Sequence, residues 1–284
     1  MVWKDLHMVQ EIVHVHLNEV PDLFNGRPRN EGSFAVFIFR QSSGRYTVDF
    51  NEYTIQANSI VIISKDQQVS FNLSEEPQQF ISLVFPPDFI KTANEDVLRM
   101  FSFCIREHFN GKQILKLEDQ DYRYLESLSY QLQEINLTLN SGIRSLSGFH
   151  LLQLILIYCA DLYSRQSVNQ TTGYMEVVGN FTALLESNFR NIQKVGFYTG
   201  NLNLTYNSLA RYTNQYCNKT PKEIITERLV LEIKRLLAAT NIPVKEISYS
   251  LGFDEPTNMV KYFKKNTGIT PSEFRNRSKN YHTL

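Results

Sequence analysis

The sequence predicts an α+β protein of two domains, a β-rich front followed by an all-α back. Short runs of alternating apolar and polar residues lie between residues 33 and 85, which is the period of strands. Beyond about residue 95, apolar residues recur at spacings of three and four, as in helices. Charge divides the chain too: residues 194–284 hold 14 Lys and Arg against 7 Asp and Glu, and the rest holds 15 against 22. A neutral chain divided in this way indicates a basic binding module attached to a different kind of domain.

The front domain is predicted to hold five short strands separated by turn signals. In one of them Tyr46, Val48 and Phe50 alternate with polar residues, as expected of a strand with one buried face. Asn51-Glu52 is interpreted as one of the turns. Strands this short and closely spaced favour a small antiparallel barrel or jelly roll over about residues 30–90. The predicted strands span 33–39, 45–50, 59–64, 68–72 and 79–85.

Three helices are predicted after the strands, over residues 95–108, 119–137 and 145–164. The middle one carries an apolar stripe that is either core or the seam of a homodimer, formed by Tyr122, Leu125, Leu128, Leu132 and Ile135. The last is apolar on all sides and predicts a buried helix. Its longest apolar run, 151–160, is too short to cross a bilayer, so no membrane partner is expected.

The domain boundary is predicted at a polar, aperiodic stretch over residues 166–173. Residues 1–165 would form the front domain. A helix over about 174–188 then opens the back domain, which spans 174–284.

An internal repeat organises the back domain. The segment 218–224, Asn-Lys-Thr-Pro-Lys-Glu-Ile, is echoed at an offset of 50 residues by 268–274, Gly-Ile-Thr-Pro-Ser-Glu-Phe. Each copy predicts a short helix, a tight turn, a second helix and the start of a third. The third begins with a capping box, Thr220 with Glu223 in the first copy and Thr270 with Glu273 in the second.

The helix boundaries of each copy follow from caps and breakers. In the first copy a helix over 195–202 leads into one over 206–216, with Thr205 as its N-cap. In the second, a helix over 243–251 ends at Gly252, and Asp254 is predicted to cap a helix that ends before Gly268. Two helices joined at such a corner are a helix-turn-helix, whose second helix can enter a DNA major groove.

The connector between the two copies is predicted to be a helix over 221–239. Nineteen residues make a helix of about 28 Å, close to the ~34 Å of one turn of B-DNA. A rigid connector of this length could hold two reading helices in successive major grooves of one duplex. The alternative is an all-helical bundle whose repeat is only structural.

Residues from about 195 to 277 resemble the C-terminal DNA-binding domain of AraC/XylS-type transcription regulators. The resemblance is carried by Leu202-Asn203-Leu204-Thr205, by Lys234-Arg235-Leu236-Leu237 on the connector, by Leu251-Gly252-Phe253, and above all by the run from Tyr262 to Arg275. In the front domain the run from Tyr53 to Ile63 is similar to the cupin-type sensor barrel common in that family. The resemblance therefore implies a cupin-like N-terminal domain and two helix-turn-helix units on a linker helix.

The resemblance also implies which side chains would contact DNA. They lie on the outer faces of the two reading helices, and Arg or Lys can read guanine while Asn can read adenine. Solvated surface is the alternative for any one of them. The matched positions are Asn207, Ser208, Arg211, Asn214, Thr257, Asn258, Lys261, Lys264 and Lys265.

Three positions depart from the family pattern, all in the first copy. Thr199 and Gly200 lie in the first short helix, and Thr213 stands where a large apolar residue is common. A glycine within a helix costs up to about 1 kcal/mol relative to alanine. The first helix-turn-helix copy is therefore expected to be less rigid than the second and to distinguish less well between DNA sequences.

The function predicted is a cytoplasmic DNA-binding transcription regulator, an activator, that binds double-stranded promoter DNA. RNA polymerase is an expected partner, and the front domain is expected to sense a small-molecule effector, to form a homodimer, or both. The alternatives are a cupin enzyme with an appended DNA-binding module and a dimeric regulator that needs no ligand.

Catalysis, cofactors and a metal site are not expected. Cupin enzymes need several histidines and a carboxylate together, and no histidine lies between His16 and His108. His14 and His16 share a face of a possible strand without an obvious third ligand. The three cysteines, Cys104, Cys159 and Cys217, have no metal or redox spacing. The sequence therefore favours a binding protein over an enzyme.

Overall fold

The computed structural model describes residues 13–21, 33–64, 67–75, 77–86, 89, 114–138, 141–166 and 172–281. The chain divides into two compact units, Met1–Asn169 and Gln170–Leu284. The helix predicted over 95–108 lies outside the described residues, as does most of the predicted linker.

Eight strands of the first unit form two antiparallel sheets. The strands are β1 His14–Leu17, β2 Phe34–Gln41, β3 Gly44–Val48, β4 Asn51–Thr54, β5 Ser59–Ile63, β6 Val69–Leu73, β7 Gln79–Phe85 and β8 Ile114–Lys116. One sheet has the order β1-β7-β2-β5-β8 and the other β4-β3-β6. The described strands therefore make a two-sheet arrangement rather than a closed barrel, and the cupin-like barrel is not confirmed.

Strand β2 shows how the alternation of side chains divides the first unit into two cores. Phe34, Val36 and Ile38 point to the face of the larger sheet that packs against helices. Phe37 and Phe39 point to the opposite face, which packs against the smaller sheet. The ring centroids of Phe37 and Phe71 lie 4.5 Å apart across the two sheets. Aromatic side chains thus fill much of the interior between the sheets.

Two predictions about the strands need correction. Asn51 and Glu52 were predicted as a turn, but they begin β4, which pairs with β3. The turn lies two residues earlier, at Asp49 and Phe50, where Asp49 takes a left-handed φ of 54° and closes a two-residue hairpin. Phe50, predicted on the buried face of a strand over 45–50, therefore lies after the end of β3 and is 38% exposed. The edge strand β8 was not predicted, since three residues are too few to show a period of two.

Two helices cover the larger sheet, α1 at Asp119–Thr138 and α2 at Ser141–Gln166. Tyr122, Leu125, Leu128 and Leu132 of α1 are buried in the core against the sheet. These four residues of the stripe are therefore core within one chain, and the fifth, Ile135, is half-buried. Helix α2 is long and apolar enough to cross a membrane by length and composition alone over Ile143–Tyr163. A core helix of a soluble protein passes the same test, and the inner face of α2 lies in the core of the first unit.

The described part of the second unit is helical throughout. Its helices are α3 Thr172–Asn188, α4 Val195–Asn201, α5 Tyr206–Cys217, α6 Pro221–Ala239, α7 Val244–Ser250, α8 Pro256–Thr267 and α9 Pro271–Tyr281. Helix α6 has the bounds that its sequence predicts, and it packs against α4, α5, α7, α8 and α9. Leu229, Ile233 and Leu237 of α6 are fully buried in this core. The connector is thus the central element to which both copies of the repeat attach.

Candidate DNA-binding interface

The two capping boxes confirm the repeat at the level of single hydrogen bonds. The backbone N–H of Thr220 donates to Glu223 Oε2 at 2.7 Å, and the N–H of Glu223 donates to Thr220 Oγ1 at 3.3 Å. Thr270 and Glu273 make the same two bonds at the same distances. The backbone N–H of the threonine in each box lowers the pKa of the glutamate carboxyl, which keeps it ionised. The start of α6 and the start of α9 are therefore built alike.

The tight turns of the two copies also match. Asn203 in the first copy and Gly252 in the second both take left-handed φ, 53° and 72°. The helices that follow end at a left-handed residue as well, Asn218 at 54° and Gly268 at 81°. A Cβ on Gly252 would lie 2.8 Å from the carbonyl oxygen of Arg190. Glycine is therefore required at the second turn both by the left-handed φ and by the close approach of this backbone oxygen.

The N-terminal cap of the second reading helix differs from the prediction. Asp254 was predicted as the N-cap, but α8 begins at Pro256 and its N-cap is Glu255, without a side-chain cap bond. Proline at the first helical position has no N–H, so one donor fewer needs a partner. The first reading helix follows the prediction, because Thr205 Oγ1 accepts from the N–H of Ser208 at 3.1 Å.

The first reading helix, α5, presents a polar face to solvent. Asn207, Arg211 and Asn214 are exposed, as predicted from their spacing. Ser208 is only partly exposed, and its hydroxyl shares a 2.9 Å hydrogen bond with Thr205. The guanidinium of Arg211 lies 5.2 Å from the ring centroid of Tyr212. The three fully exposed side chains thus lie together on one face, and Ser208 lies at its capped end.

The second reading helix, α8, is the more basic one. Five of the predicted contact residues are exposed along it, while Met259 and Phe263 are fully buried. Lys264 and Lys265 lie in the last turn, where cations also stabilise the negative end of the helix dipole. Each of these two lysines can therefore contact a DNA phosphate or interact with the helix dipole. The exposed set is Thr257, Asn258, Lys261, Lys264 and Lys265.

The sequence reasoning missed exposed side chains on the reading helices, of which Tyr206 is the large aromatic one; Gln215 and Asn266 are the others among the described side chains. Tyr206 is the first residue of α5, directly after the N-cap Thr205, and is 48% exposed. An aromatic residue at the start of a helix that points away from the core was the available signal. Tyr206 adds an apolar surface beside the exposed Asn207 at the start of the helix.

Not all of the basic excess of the second unit is available to DNA. Arg228 and Arg235 of α6 are buried. Arg228 Nε contacts Glu186 Oε1 at 2.8 Å and its NH1 contacts Glu232 Oε2 at 3.0 Å. The cations of the two reading helices, by contrast, are exposed. Counting charges in the sequence therefore overstates the positive charge at the surface. The reading helices hold much of the positive charge that is exposed.

The departures from the family pattern have different structural consequences. Gly200 has open space around its missing Cβ, and the hydroxyl of Thr199 donates to the carbonyl of Gly196 at 3.1 Å. Thr213 is fully buried, and its hydroxyl donates to the carbonyl of Ala210 at 3.3 Å. The lower rigidity expected of the first helix-turn-helix copy stays a prediction.

Alanine at Gly200 and alanine at Gly252 should have opposite effects on stability. At Gly200 the helix gains about 0.5–1 kcal/mol because alanine has less conformational freedom to lose. At Gly252 we expect a loss of about 1–3 kcal/mol from the left-handed φ and the contact with the Arg190 carbonyl. Urea unfolding of the full chain followed by circular dichroism measures both. Equal effects of the two substitutions would contradict the geometry described for Gly252.

No three His, Cys, Asp or Glu side chains come together as a metal site within the described residues. His14 and His16 have ring centroids 6.3 Å apart on β1, and burial lowers the pKa of His16. They form no further cluster there.

The fold and the interface define a DNA-binding protein with a tandem helix-turn-helix. A family model described as a helix-turn-helix domain matches residues 198–277. The Msm operon regulatory protein of Streptococcus mutans is 21% identical over 254 residues, which cover 89% of this chain and 87% of that protein. The HTH-type transcriptional activator RhaR of Mannheimia succiniciproducens is 24% identical over 60% of each chain. The crystal structure of ToxT from Vibrio cholerae is 15% identical, covering 93% of this chain and 94% of its own, with a TM-score of 0.40.

Residues 198–277 thus form a helix-turn-helix domain of the AraC type at the C-terminal end of the chain, and the chain is similar to regulators of the AraC family. It is a DNA-binding protein of transcription regulation.

Proposed function

We propose that the chain binds promoter DNA by placing α5 and α8 in successive major grooves and activates transcription from there. The observation that carries this proposal is the matched pair of helix-turn-helix units, with like caps and turns, on one buried connector. That connector has 19 residues, about 28 Å, close to one turn of B-DNA. The exposed polar faces of α5 and α8 would supply the contacts.

Base contacts are proposed for the exposed Asn and the Arg or Lys side chains at the centres of the reading helices. Arg211 and Lys261 occupy equivalent positions in the two copies, one residue before Tyr212 and Tyr262. Both are exposed, and a bidentate contact to guanine is worth about 1–3 kcal/mol against a wrong base. Lys264 and Lys265 are proposed as phosphate contacts.

A small-molecule effector in the first unit is also proposed. The hydroxyl of Tyr46 lies buried between the two sheets and has no hydrogen-bond partner among the described residues. Burial raises the pKa of Tyr46, so the phenol keeps its proton and can donate. An unpaired buried donor is costly, and a ligand with an acceptor atom would satisfy it.

The remaining parts of the proposal follow from the class of protein. A homodimer, contact with RNA polymerase and a place in the cytoplasm are proposed because the chain is a DNA-binding regulator. The Msm operon regulatory protein and RhaR, which match most of their own length, are regulators, which supports a role without catalysis. The domain boundaries proposed are 1–165 and 174–284, with a linker over 166–173 whose ends overlap the last residue of α2 and the first two residues of α3.

Replacing Arg211 or Lys261 with alanine tests the proposal. If either side chain reads a base, affinity for a DNA site selected from a genomic pool should fall by about 1–3 kcal/mol, and affinity for random DNA much less. Fluorescence anisotropy at fixed salt measures both affinities. Lys222→Ala is the matched control, since Lys222 is exposed and lies outside both reading helices. Equal losses on selected and random DNA would reassign the residue to a phosphate contact.

A further inference from the structure

The first reading helix begins with an aromatic side chain that lies outside the core. Tyr206 is the first residue of α5 and is 48% exposed. The buried side chains that the structure describes on α5 lie further along the helix, at Leu209, Thr213 and Tyr216. A single exposed aromatic residue is ordinary on a protein surface. The position of Tyr206 therefore decides what its ring can contact.

Tyr206 lies at the end of α5 that would enter a DNA groove. In a helix-turn-helix, the N-terminal residues of the second helix contact base edges. Side chains of a helix also tilt toward its N-terminus, so a residue at the first position extends past the start of the helix. Asn207 follows directly, and Arg211 is exposed about one turn later. Tyr206 therefore lies beside side chains already proposed to read bases.

The backbone that carries Tyr206 is held in place on both sides. Thr205 Oγ1 accepts from the N–H of Ser208 at 3.1 Å, and the two hydroxyls share a hydrogen bond of 2.9 Å. The N–H of Leu209 donates to the carbonyl of Thr205 at 3.0 Å, and the side chain of Leu209 is fully buried. Tyr206 thus belongs to a fixed helix end, and side chains on such rigid elements are placed more accurately than those on loops.

The chemistry of the ring selects one feature of the major groove. Base edges there present donors, acceptors and one apolar group, the 5-methyl of thymine, which apolar side chains contact. A tyrosine has an apolar body and a polar tip, so the ring can pack on a methyl group while its hydroxyl stays in water. Asn207, the next residue, is of the type that reads adenine. The two side chains together fit a thymine next to an adenine.

The second reading helix has a different residue at this place. The offset of 50 pairs Tyr206 with Pro256, which is the first residue of α8. Pro256 is only partly exposed and has no aromatic ring. A thymine contact of this kind is therefore limited to the part of the DNA site that α5 binds, called here the α5 half-site.

We propose that Tyr206 determines sequence specificity by packing its ring on the 5-methyl group of one thymine in the α5 half-site. This inference rests on the proposed binding of α5 in a major groove and names one further base contact there. The contact adds an apolar preference to the polar contacts of Asn207 and Arg211.

The test replaces each thymine of a selected DNA site in turn with uracil, which removes only the 5-methyl group. For the full wild-type chain, uracil at one position should raise the Kd by about 4-fold, the effect of exposing one buried methyl group. Fluorescence anisotropy at fixed salt measures each Kd. A site in which no thymine can be distinguished from uracil overturns the proposal.

Replacing Tyr206 with alanine connects that methyl group to this side chain. Tyr206→Ala should weaken binding to the thymine site by about 4-fold or more, and uracil at the same position should then cause no further loss. Tyr249→Ala is the matched control, because Tyr249 is 50% exposed on α7 and lies outside both reading helices. It should keep the wild-type ratio of the two Kd values. If Tyr206→Ala keeps that ratio too, another side chain reads the methyl group and the proposal is wrong.

Replacing Tyr206 with phenylalanine separates the ring from the hydroxyl and guards against a folding defect of the alanine variant. Tyr206→Phe keeps the apolar ring, so it should match the wild type both in affinity and in the ratio between thymine and uracil. If it binds the thymine site and the uracil site equally weakly, the hydroxyl contacts a phosphate and the proposal is overturned.

Failure of this inference and failure of the proposed function give different results. A wild-type chain that binds the selected site without any thymine preference due to Tyr206 overturns the inference, and the proposed function stands. A wild-type chain that binds no DNA overturns the proposed function and this inference with it.

Discussion

Replacing Arg228 with alanine should destabilise the second unit by about 3–5 kcal/mol, the cost of leaving buried charges without a partner. Arg228 is 5% exposed and lies between Glu186 of α3 and Glu232 of α6. Glu232 also accepts from Arg190 at 2.7 Å. The guanidinium lies 3.8 Å from the ring centroid of Phe189. The substitution therefore removes two ion pairs and a cation–π contact in one step.

The measurement is urea unfolding of the full chain, with circular dichroism at a helix-sensitive wavelength. Because the two units can unfold separately, a single two-state fit is not assumed. Arg211→Ala is the control, an exposed arginine whose loss should change stability by no more than about 0.5 kcal/mol. Replacing Arg228 with methionine and both glutamates with glutamine should recover much of the loss, since no buried charge is then left unpaired. A loss of less than about 1 kcal/mol for Arg228→Ala would contradict the network.

The pKa of Glu232 gives this network a pH dependence. Burial acts to raise that pKa, but Arg228 and Arg190 more than offset it and hold it below the ordinary value. A depressed carboxyl pKa stabilises the fold above the unfolded pKa, about 4.3 for glutamate, and the stabilisation is lost as pH falls through the folded value. The second unit should therefore lose stability in acid, and Glu232→Gln should flatten that loss.

Affinity for DNA should fall by about 10³-fold or more between 50 and 200 mM salt, if six or more phosphates are neutralised. The four exposed cations of the reading helices, Arg211, Lys261, Lys264 and Lys265, would supply part of that number. Each phosphate contact releases counterions, so the logarithm of affinity falls linearly with the logarithm of salt concentration. The measurement is anisotropy titration of the full chain on a selected site at several salt concentrations.

Replacing Lys264 and Lys265 with alanine should lower the salt slope by about 2, one for each phosphate contact. If the two lysines interact with the helix dipole rather than with DNA, their replacement would leave the salt slope unchanged and would lower the stability of α8. Lys222→Ala serves again as the exposed control. Affinity that did not change with salt would rule out DNA as the ligand of this surface.

Local signals made the second unit largely predictable from the sequence. A capping box needs only residues three apart, so Thr220 with Glu223 and Thr270 with Glu273 predicted the starts of α6 and α9. The contact residues on the outer faces of α5 and α8 were predicted from the family resemblance, and helical spacing agrees with that prediction. Predictions weakened where two signals competed, as at Asp254, where a good capping residue stood two positions before a proline at the first helical position.

Long-range pairing limited the prediction of the first unit. β8 has three residues and exists because β5 offers an open edge more than 50 positions away. The first two residues of β4, Asn51 and Glu52, were taken for a turn because asparagine favours turns, and only the pairing of β4 with β3 shows which residues close the hairpin.

By itself, the sequence determined that this protein is a tandem helix-turn-helix regulator, since repeats, caps and helical spacing act over a few residues and leave a readable pattern. Only the tertiary structure decided which apolar and charged side chains are used within the chain. It placed the α1 stripe in the core, and it buried Arg228 between Glu186 and Glu232. Burial depends on partners that are distant in sequence, so no local sequence pattern can predict which of these side chains are buried.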